Sequence, residues 1–470
     1  MKYPVAVGVD GYYYVLQINE ILNTWHLYFS SPTPIALYLM SAIGFLVGDT
    51  VLAIKIASVF FQVLLCVGVF GLLTTVGCSR WLGLVGATLT AFAGLHFHLI
   101  SEFINNLAGI AFIVLCGCCV SKTIRTRGRR WIALALSFFV LAIFSHKSIL
   151  PVAAMLFILL MVSHYLINGS QTRFHRVVAL VIIAFVLVGP ALIAVQPFFG
   201  LPPSLRDEVL KFPRLPFGSV ALPEKLILMM TAPAVLFLAS KLPKQVRSGI
   251  APTMLCAVAL WSLLITLNPF LAYDSGWMGI AVRLSALSYV QVAILFPGLV
   301  WMVMLVRPVA TVYAAVVTAP LFWLSMNSEL PPGMQQSYLA DRAQIITNLK
   351  PLGTQLPSNS IVIAEHGTQF VVTFATGIRS ISRIPQDSST TTVYWLLVGI
   401  ARPMLNEQMT HLAQSAHGSF VVLIKNDDLK ARLVSMTEVE KRRVFGANRH
   451  LYQACVSGGL IDPSGQCQLP

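Results

Sequence analysis

Charge is the first thing this sequence lacks. Only 11% of its 470 residues are Asp, Glu, Lys or Arg, and just 18 are acidic. A soluble globular domain carries roughly 25% charged residues, so that class is excluded. Mean hydropathy is +0.77 and 56% of the residues are hydrophobic, which points instead to a polytopic membrane protein. Several catalytic signatures are also missing: there is no Gly-rich phosphate loop and no Ser-His-Asp order to defend. Internal repeats and low-complexity segments are absent. The opening MKYPVAVGVDG has neither a long apolar core nor a small-residue cleavage site, so no cleavable signal peptide is expected.

Cysteine is scarce and unevenly placed. Cys66, Cys78, Cys116, Cys118, Cys119 and Cys256 lie in or beside apolar runs, where they read as small packing residues. The CGCC cluster has no histidine or carboxylate beside it, which argues against a metal there. Cys455 and Cys467 fall in the polar C-terminal part and leave two readings open, a disulfide or a free pair.

What is present is a series of apolar runs at membrane-crossing length. Pro34 to Val47 is short and reads as a tilted or embedded helix. Val51 to Val76, Trp81 to Leu95, Asn106 to Val120, Trp131 to Phe144, Ile149 to Ile167 and Val177 to Val195 follow, then Leu226 to Ser240, Ile250 to Leu267, Leu284 to Val306 and Val309 to Leu324. About 10–11 membrane helices are therefore expected.

The formal charge of +14 would suggest nucleic acid in a soluble chain. Here the basic residues sit in short loops, so they read as topology determinants and no nucleic-acid partner is expected. Loops at Arg80, Lys122 to Arg130, Arg173 to Arg176, Lys241 to Arg247 and Arg307 all fall on one side, assigned to the cytoplasm. Asp10, Glu102, His146, Lys147, Asp274, Arg283 and everything after Ser325 then fall on the other. The loop from Gln196 to Lys225 carries Arg206, Lys211, Arg214 and Lys225 against the rule, which marks either a flaw in the assignment or a site for an anionic headgroup.

After Ser325 the composition becomes that of a soluble domain. Gln335 to Leu349 reads as helix, SIVIAEHG and QFVVTFATG as strands, Val393 to Glu407 as helix and GSFVVLIKN as strand, an α/β pattern. The expected division is thus 1–325, a membrane domain with its first outer loop at 8–33, and 326–470, an extracytoplasmic α/β domain.

The stretch GVDGYYYVLQINEILNTWHLYFSSPTPIALY, Gly8 to Tyr38, interrupts this apolar background. Val15, Ile18, Ile21 and Leu22 recur at helical spacing among polar residues, as in a helix lying along a membrane surface. Pro32 and Pro34 stop it. Asp10 and Glu102 open the first two outer loops; acids at a membrane boundary usually have a partner or a task, and the other reading is that both are solvated loop residues. His98 and Glu102 share a helical face, with His146 as a third candidate, which leaves room for a divalent metal, though most such boundary histidines merely hydrogen-bond at the interface. Tyr12, Tyr13, Trp25, Tyr28 and Trp277 suit either sugar stacking or an aromatic belt. Lys147 reads either as a phosphate ligand or as a snorkelling lysine, and Arg283 either as a phosphate ligand or as an ion-pair partner of Asp274. Glu365 and His366 end a predicted strand with no nucleophile nearby, and read as loop residues that shape an acceptor pocket.

Taken in order, these features resemble the GT-C class of membrane glycosyltransferases, especially protein mannosyltransferases and lipid A aminoarabinose transferases. The resemblance rests on Asp10 before an aromatic-rich helix, SPTPIALY from Ser31, LVGDTVLAIK ending at Lys55, SEFINN with Glu102, SHKSILP with Lys147, and RLSALSYVQVAILFP from Arg283. It covers about Gly8 to Leu324, with the order of the features as its evidence. The family carries a transmembrane helix before its first-loop Asp; this sequence begins too close to Asp10 to supply it, so the expectation is a start further upstream or a missing helix.

The resemblance implies an inverting glycosyltransferase that moves a sugar from a polyprenyl-phosphate donor at the outer face of a bacterial inner or plasma membrane. Asp10 would be the general base and Glu102 would orient the acceptor or a cation. Lys147 and Arg283 would bind the donor phosphate, and Tyr12, Tyr13, His98 and His146 the substrate. The implied partners are the lipid-linked sugar, the bilayer and an acceptor. Competing readings are a transporter or flippase of lipid-linked sugars, which should show two similar halves or charges deep within spans, and an inactive envelope scaffold.

Overall fold

The computed structural model describes residues 5–8, 10–31, 33–93, 97, 99–100, 103–146, 149–168, 222–247, 249–267, 287–306, 334–365, 367–381, 392–405, 407–414, 419–448 and 450–451. The chain divides into two compact units. One comprises Met1–Ser30, Tyr38–Ile56 and Pro331–Pro470; the other comprises Ser31–Leu37 and Ala57–Leu330.

The second unit is helical. Long apolar helices begin with α2 (Ile35–Val47) and α3 (Thr50–Thr75), which run from one unit into the other, and continue with α4 (Arg80–Phe92), α5 (Ile104–Thr126), α6 (Arg129–Ile143) and α7 (Ile149–Asn168). Then come α8 (Leu222–Lys241), a four-residue α9 (Lys244–Arg247), α10 (Ile250–Leu267) and α11 (Ser288–Val306). Among the described residues three helices, α3, α5 and α11, are both long and apolar enough to cross a membrane by length and composition. The run expected to end at Val120 goes on as helix through Lys122 to Thr126, and ends only where Arg127 turns left-handed at φ 53°. The expected spans Val177 to Val195 and Val309 to Leu324 lie outside the described residues.

The helices approach closely where side chains are small, as membrane helices do without a hydrophobic force between them. A Cβ on Gly86 of α4 would lie 2.7 Å from the Ala293 carbonyl of α11. Beside that contact Gln62 of α3 donates to the Thr90 carbonyl at 2.7 Å and accepts from the Tyr289 hydroxyl at 3.4 Å. This buried polar knot ties three helices together.

The first unit joins α1 (Gly11–Thr24) to the C-terminal α/β region. There α12 (Gln336–Leu349) and α13 (Leu352–Gln355) precede β1 (Ser360–Ile363), α14 (Thr368–Thr376), β2 (Ser380–Ile381) and β3 (Thr392–Ile400). After a short 3₁₀ turn at Arg402–Met404 follow β4 (Thr410–Gln414), β5 (Phe420–Lys425), α15 (Asn426–Ser435) and α16 (Glu438–Ala447). The sheet order is β2-β1-β3-β5-β4, parallel on the β2-β1-β3 side and antiparallel on the β3-β5-β4 side.

Two segments differ from the sequence expectation. QFVVTFATG is the helix α14, because Gly367 at φ 87° starts it and Gly377 at φ 70° caps it, with Gly377 N–H donating to Thr373 O at 2.9 Å. Only glycine adopts such angles cheaply. Conversely TVYWLLVGI is β3, the central strand, where Trp395, Leu396 and Leu397 are buried among neighbours on both sides. The core of this region gathers Trp395, Leu397, Val422, Ile424, Leu429 and Leu433. Asn448 repairs the irregularity in β3: its Oδ1 accepts from Val398 N–H at 2.8 Å and its Nδ2 donates to Val398 O at 2.9 Å.

Candidate functional site

The loop that carries Asp10 is packed in place before α1 begins. Gly8 adopts φ 86°, which an L side chain reaches only at a cost of about 1–2 kcal/mol. Gly11 lies so close to Ala6 that a Cβ there would come within 2.9 Å of the Ala6 methyl. The two glycines that bracket Asp10 in GVDG thus serve a tight turn. The Ala6 N–H donates to the Tyr12 hydroxyl at 3.4 Å, and Ala6 is fully buried.

A guanidinium closes the loop from far along the chain. Arg342 of α12 is only 4% exposed, and its Nη1 donates to the Gly8 carbonyl at 3.2 Å. Its guanidinium lies over the Tyr338 ring, 4.6 Å from the centroid. A charge so deeply buried is tolerated only where it is paired and hydrogen-bonded. Burial pushes the Tyr12 phenol up, while the Ala6 N–H and the Arg342 charge pull it back.

Asp10 sits at the N-cap position of α1, yet its side chain makes no capping hydrogen bond. Its carbonyl oxygen accepts from Tyr14 N–H at 3.3 Å. The residue is half-buried, with Oδ1 shielded from solvent. Its backbone is thus held at the helix start while its side chain stays off the cap.

Aromatic residues surround the same segment. Tyr13 stacks on Phe29 at 5.7 Å and meets Phe370 of α14 edge-on at 5.4 Å, and Phe29 meets Phe370 at 5.6 Å. Burial pushes the Tyr13 phenol up, and the Asp10 charge adds to the effect despite the Gln17 hydrogen bond. Gln17, itself buried, clamps the returning chain, donating to Phe29 O at 2.9 Å and accepting from Phe29 N–H at 3.3 Å. Tyr12 is different: it is 1% exposed and packs on Phe374 at 4.9 Å. Its ring, read from the sequence either as sugar-stacking or as part of an aromatic belt, is packed into the core of this unit. Tyr13, Tyr28 and Phe29 keep partial exposure, and Trp25 is largely open.

No family model matches this sequence, and no curated protein matches it. Solved structures do match its fold. The Archaeoglobus fulgidus oligosaccharyltransferase in complex with Zn and sulfate gives a TM-score of 0.50 at 13% identity, over 81% of this chain and 59% of that one. The archaeal oligosaccharyltransferase AglB from the same organism, in complex with an inhibitory peptide and a dolichol-phosphate, also gives 0.50 at 13% identity, over 81% and 61%. The chain has the GT-C fold. It spans less than two thirds of the length of those oligosaccharyltransferase chains. ArnT from Cupriavidus metallidurans is also similar, with a TM-score of 0.45 at 14% identity over 89% of this chain and 94% of that one. With its long apolar helices, this GT-C chain is an integral membrane protein.

Of the residues expected to act within this GT-C fold, Asp10, Tyr12 and Tyr13 come together on the first loop and α1. His146 lies in the helical unit, half-buried in the turn between α6 and α7, where its carbonyl accepts from Ile149 N–H at 3.0 Å. Glu102, Lys147, Arg283, His98, Cys455 and Cys467 lie outside the described residues. Among the described residues no three His, Cys, Asp or Glu side chains gather as a ligand set. The cysteines described, Cys66, Cys78, Cys116, Cys118, Cys119 and Cys256, are all free thiols. Arg342 is the residue that sequence reasoning missed, since its buried setting depends on a contact 334 positions away.

Proposed function

We propose that this protein transfers a sugar from a polyprenyl-phosphate donor to an acceptor hydroxyl, with inversion, at the outer face of the membrane. The observation that carries the reading is Asp10: a carboxylate held at a helix start by a braced loop, beside a half-buried aromatic cluster, in a chain with the GT-C fold. The fold's Archaeoglobus neighbour with bound dolichol-phosphate supports a lipid-phosphate donor.

In this mechanism Asp10 takes the proton of the acceptor hydroxyl as that oxygen bonds to the anomeric carbon. The bond from the anomeric carbon to the phosphate oxygen breaks, and its electron pair leaves with the lipid phosphate. Lys147 and Arg283 stabilise the growing phosphate charge, and Glu102 orients the acceptor. Tyr13 offers the sugar an aromatic edge, with His98 and His146 as polar contacts. The zinc in one Archaeoglobus structure raises a metal for this chain as well. Among the described residues no three donors gather around one point, and no step is assigned to an ion.

The test is a transfer assay in membranes with a panel of radiolabelled polyprenyl-phosphate sugars, followed by NMR of the product's anomeric centre. Turnover with one donor and an inverted anomer is expected. Retention of configuration, or no turnover with any donor by inserted protein, would overturn the proposal.

A further inference from the structure

The helical unit contains a cavity of about 550 Å³, within the range of ligand sites. It is lined by aliphatic and aromatic side chains of six helices, among them Val120 and Ile124 of α5, Ile132 and Leu136 of α6, and Met254 of α10. The hydroxyl of Thr123 in its wall already donates to Cys119 O at 2.9 Å. The cavity therefore suits a hydrocarbon chain and offers little to a polar ligand. Its sides are open, with Leu136 61% and Phe157 64% exposed.

One end of this cavity is basic. Ile124 lies between Lys122 and Arg125, Ile132 follows Arg129 and Arg130 in the first turn of α6, and Ile250 opens α10 three residues after Arg247 of α9. The α5 and α10 walls meet where the Ser121 hydroxyl contacts Met254 Sδ at 2.8 Å. Lys122 Nζ is held 4.2 Å from the centroid of the Trp131 ring, while Arg125, Arg129, Arg130 and Lys244 are exposed.

The stretches of sequence that carry these cations hold no acidic residue of their own. No acidic residue occurs between Glu102 and Asp207, nor between Glu224 and Asp274. Positive charge in such loops sets topology, but a cationic rim around an apolar groove also matches an acyl chain joined to an anionic headgroup.

We propose that this groove binds an anionic glycerophospholipid of the bilayer, with an acyl chain in the cavity and the phosphate among Lys122, Arg125, Arg129 and Arg247. The inference does not rest on the transferase reading. The experiment is native mass spectrometry of the full-length protein released from nanodiscs, with dioleoyl-phosphatidylglycerol and dioleoyl-phosphatidylcholine as probes. The wild type should retain the phosphatidylglycerol about tenfold or more over the phosphatidylcholine. The exposed pair Arg125→Gln with Arg129→Gln should bring the two lipids near parity. Gly117→Leu, at a position where a new Cβ meets nothing closer than Met254 Cε at 3.7 Å, should fill the groove and lower retention of both. Equal retention by the wild type, or an unchanged preference in the double variant, would overturn the proposal. So would unchanged retention in Gly117→Leu. Displacement of phosphatidylglycerol by equimolar polyprenyl phosphate would reassign the groove to the donor lipid and likewise overturn it.

Discussion

Replacing Arg342 by Met separates bracing of the loop from general stability. The substitution keeps much of the volume of a 4% exposed side chain and removes its charge, so no orphan cation is buried. The losses include the hydrogen bond to the Gly8 carbonyl at 3.2 Å and the contact with Tyr338. A hydrogen bond to a charged group contributes about 1.5–3 kcal/mol, and the cation–π contact adds about 1 kcal/mol. The gain in apolar burial offsets part of this, leaving a loss near 2 kcal/mol. Concentrated in one loop, that loss opens residues 5–12 about 30-fold more often, which hydrogen exchange by mass spectrometry reads directly. The Asp10 carboxylate then loses its fixed position, and misplacement by about 1 Å costs on the order of 100-fold in rate. Transfer by Arg342→Met should therefore fall by about 10- to 100-fold in kcat, with KM for the donor changing less. In an Asp10→Asn background the same substitution should cost little more, because the positioned group is already gone. Wild-type exchange across residues 5–12, or a full additive loss from Arg342→Met in the Asp10→Asn background, would refute the reasoning.

Two further outcomes follow from the same unit. Gly8→Ala forces a side chain into φ 86°, and should cost about 1–2 kcal/mol and slow transfer, read as a lower melting temperature together with a lower kcat. His450 is buried against Trp395, and burial pushes its imidazole down from 6.5 to about 4. The unfolded chain therefore binds the proton more readily, so stability is complete above pH 6.5 and falls as the pH drops toward 4. At pH 5 the loss is about 2 kcal/mol, seen as faster corrected exchange in residues 392–400; His450→Gln should flatten that dependence, and an unchanged slope would remove His450 as its cause.

Much of the helical part was legible because apolar composition over about 20 residues leaves few alternatives in a bilayer. Ile250–Leu267 begins and ends where the pattern places it. The α/β region was harder. In QFVVTFATG the β-branched residues favour a strand, but α14 is decided by the glycines at its two ends and by Phe370 and Phe374 facing Tyr13 and Tyr12. In TVYWLLVGI the apolar run is continuous because β3 is buried on both faces, so it lacks the alternation that marks an exposed strand. Asp10 stood out as a candidate through its neighbours, two glycines and three tyrosines. Arg342 was not: SYLADRAQIITNL reads as an ordinary amphipathic helix, and only the fold brings that guanidinium under the first loop. Tyr12 and Tyr13 are adjacent in sequence, yet α1 turns one into the core and the other toward the aromatic cluster, a difference of about 100° that composition does not encode.

The most direct measurement is single-turnover transfer by the wild type and by Asp10→Asn, with the identified donor and with folding and insertion verified for both. The account predicts that Asp10→Asn lowers the chemical step at least 100-fold, in the range that loss of a general base produces, while donor binding stays within a few-fold. Transfer by Asp10→Asn at the wild-type rate would contradict it.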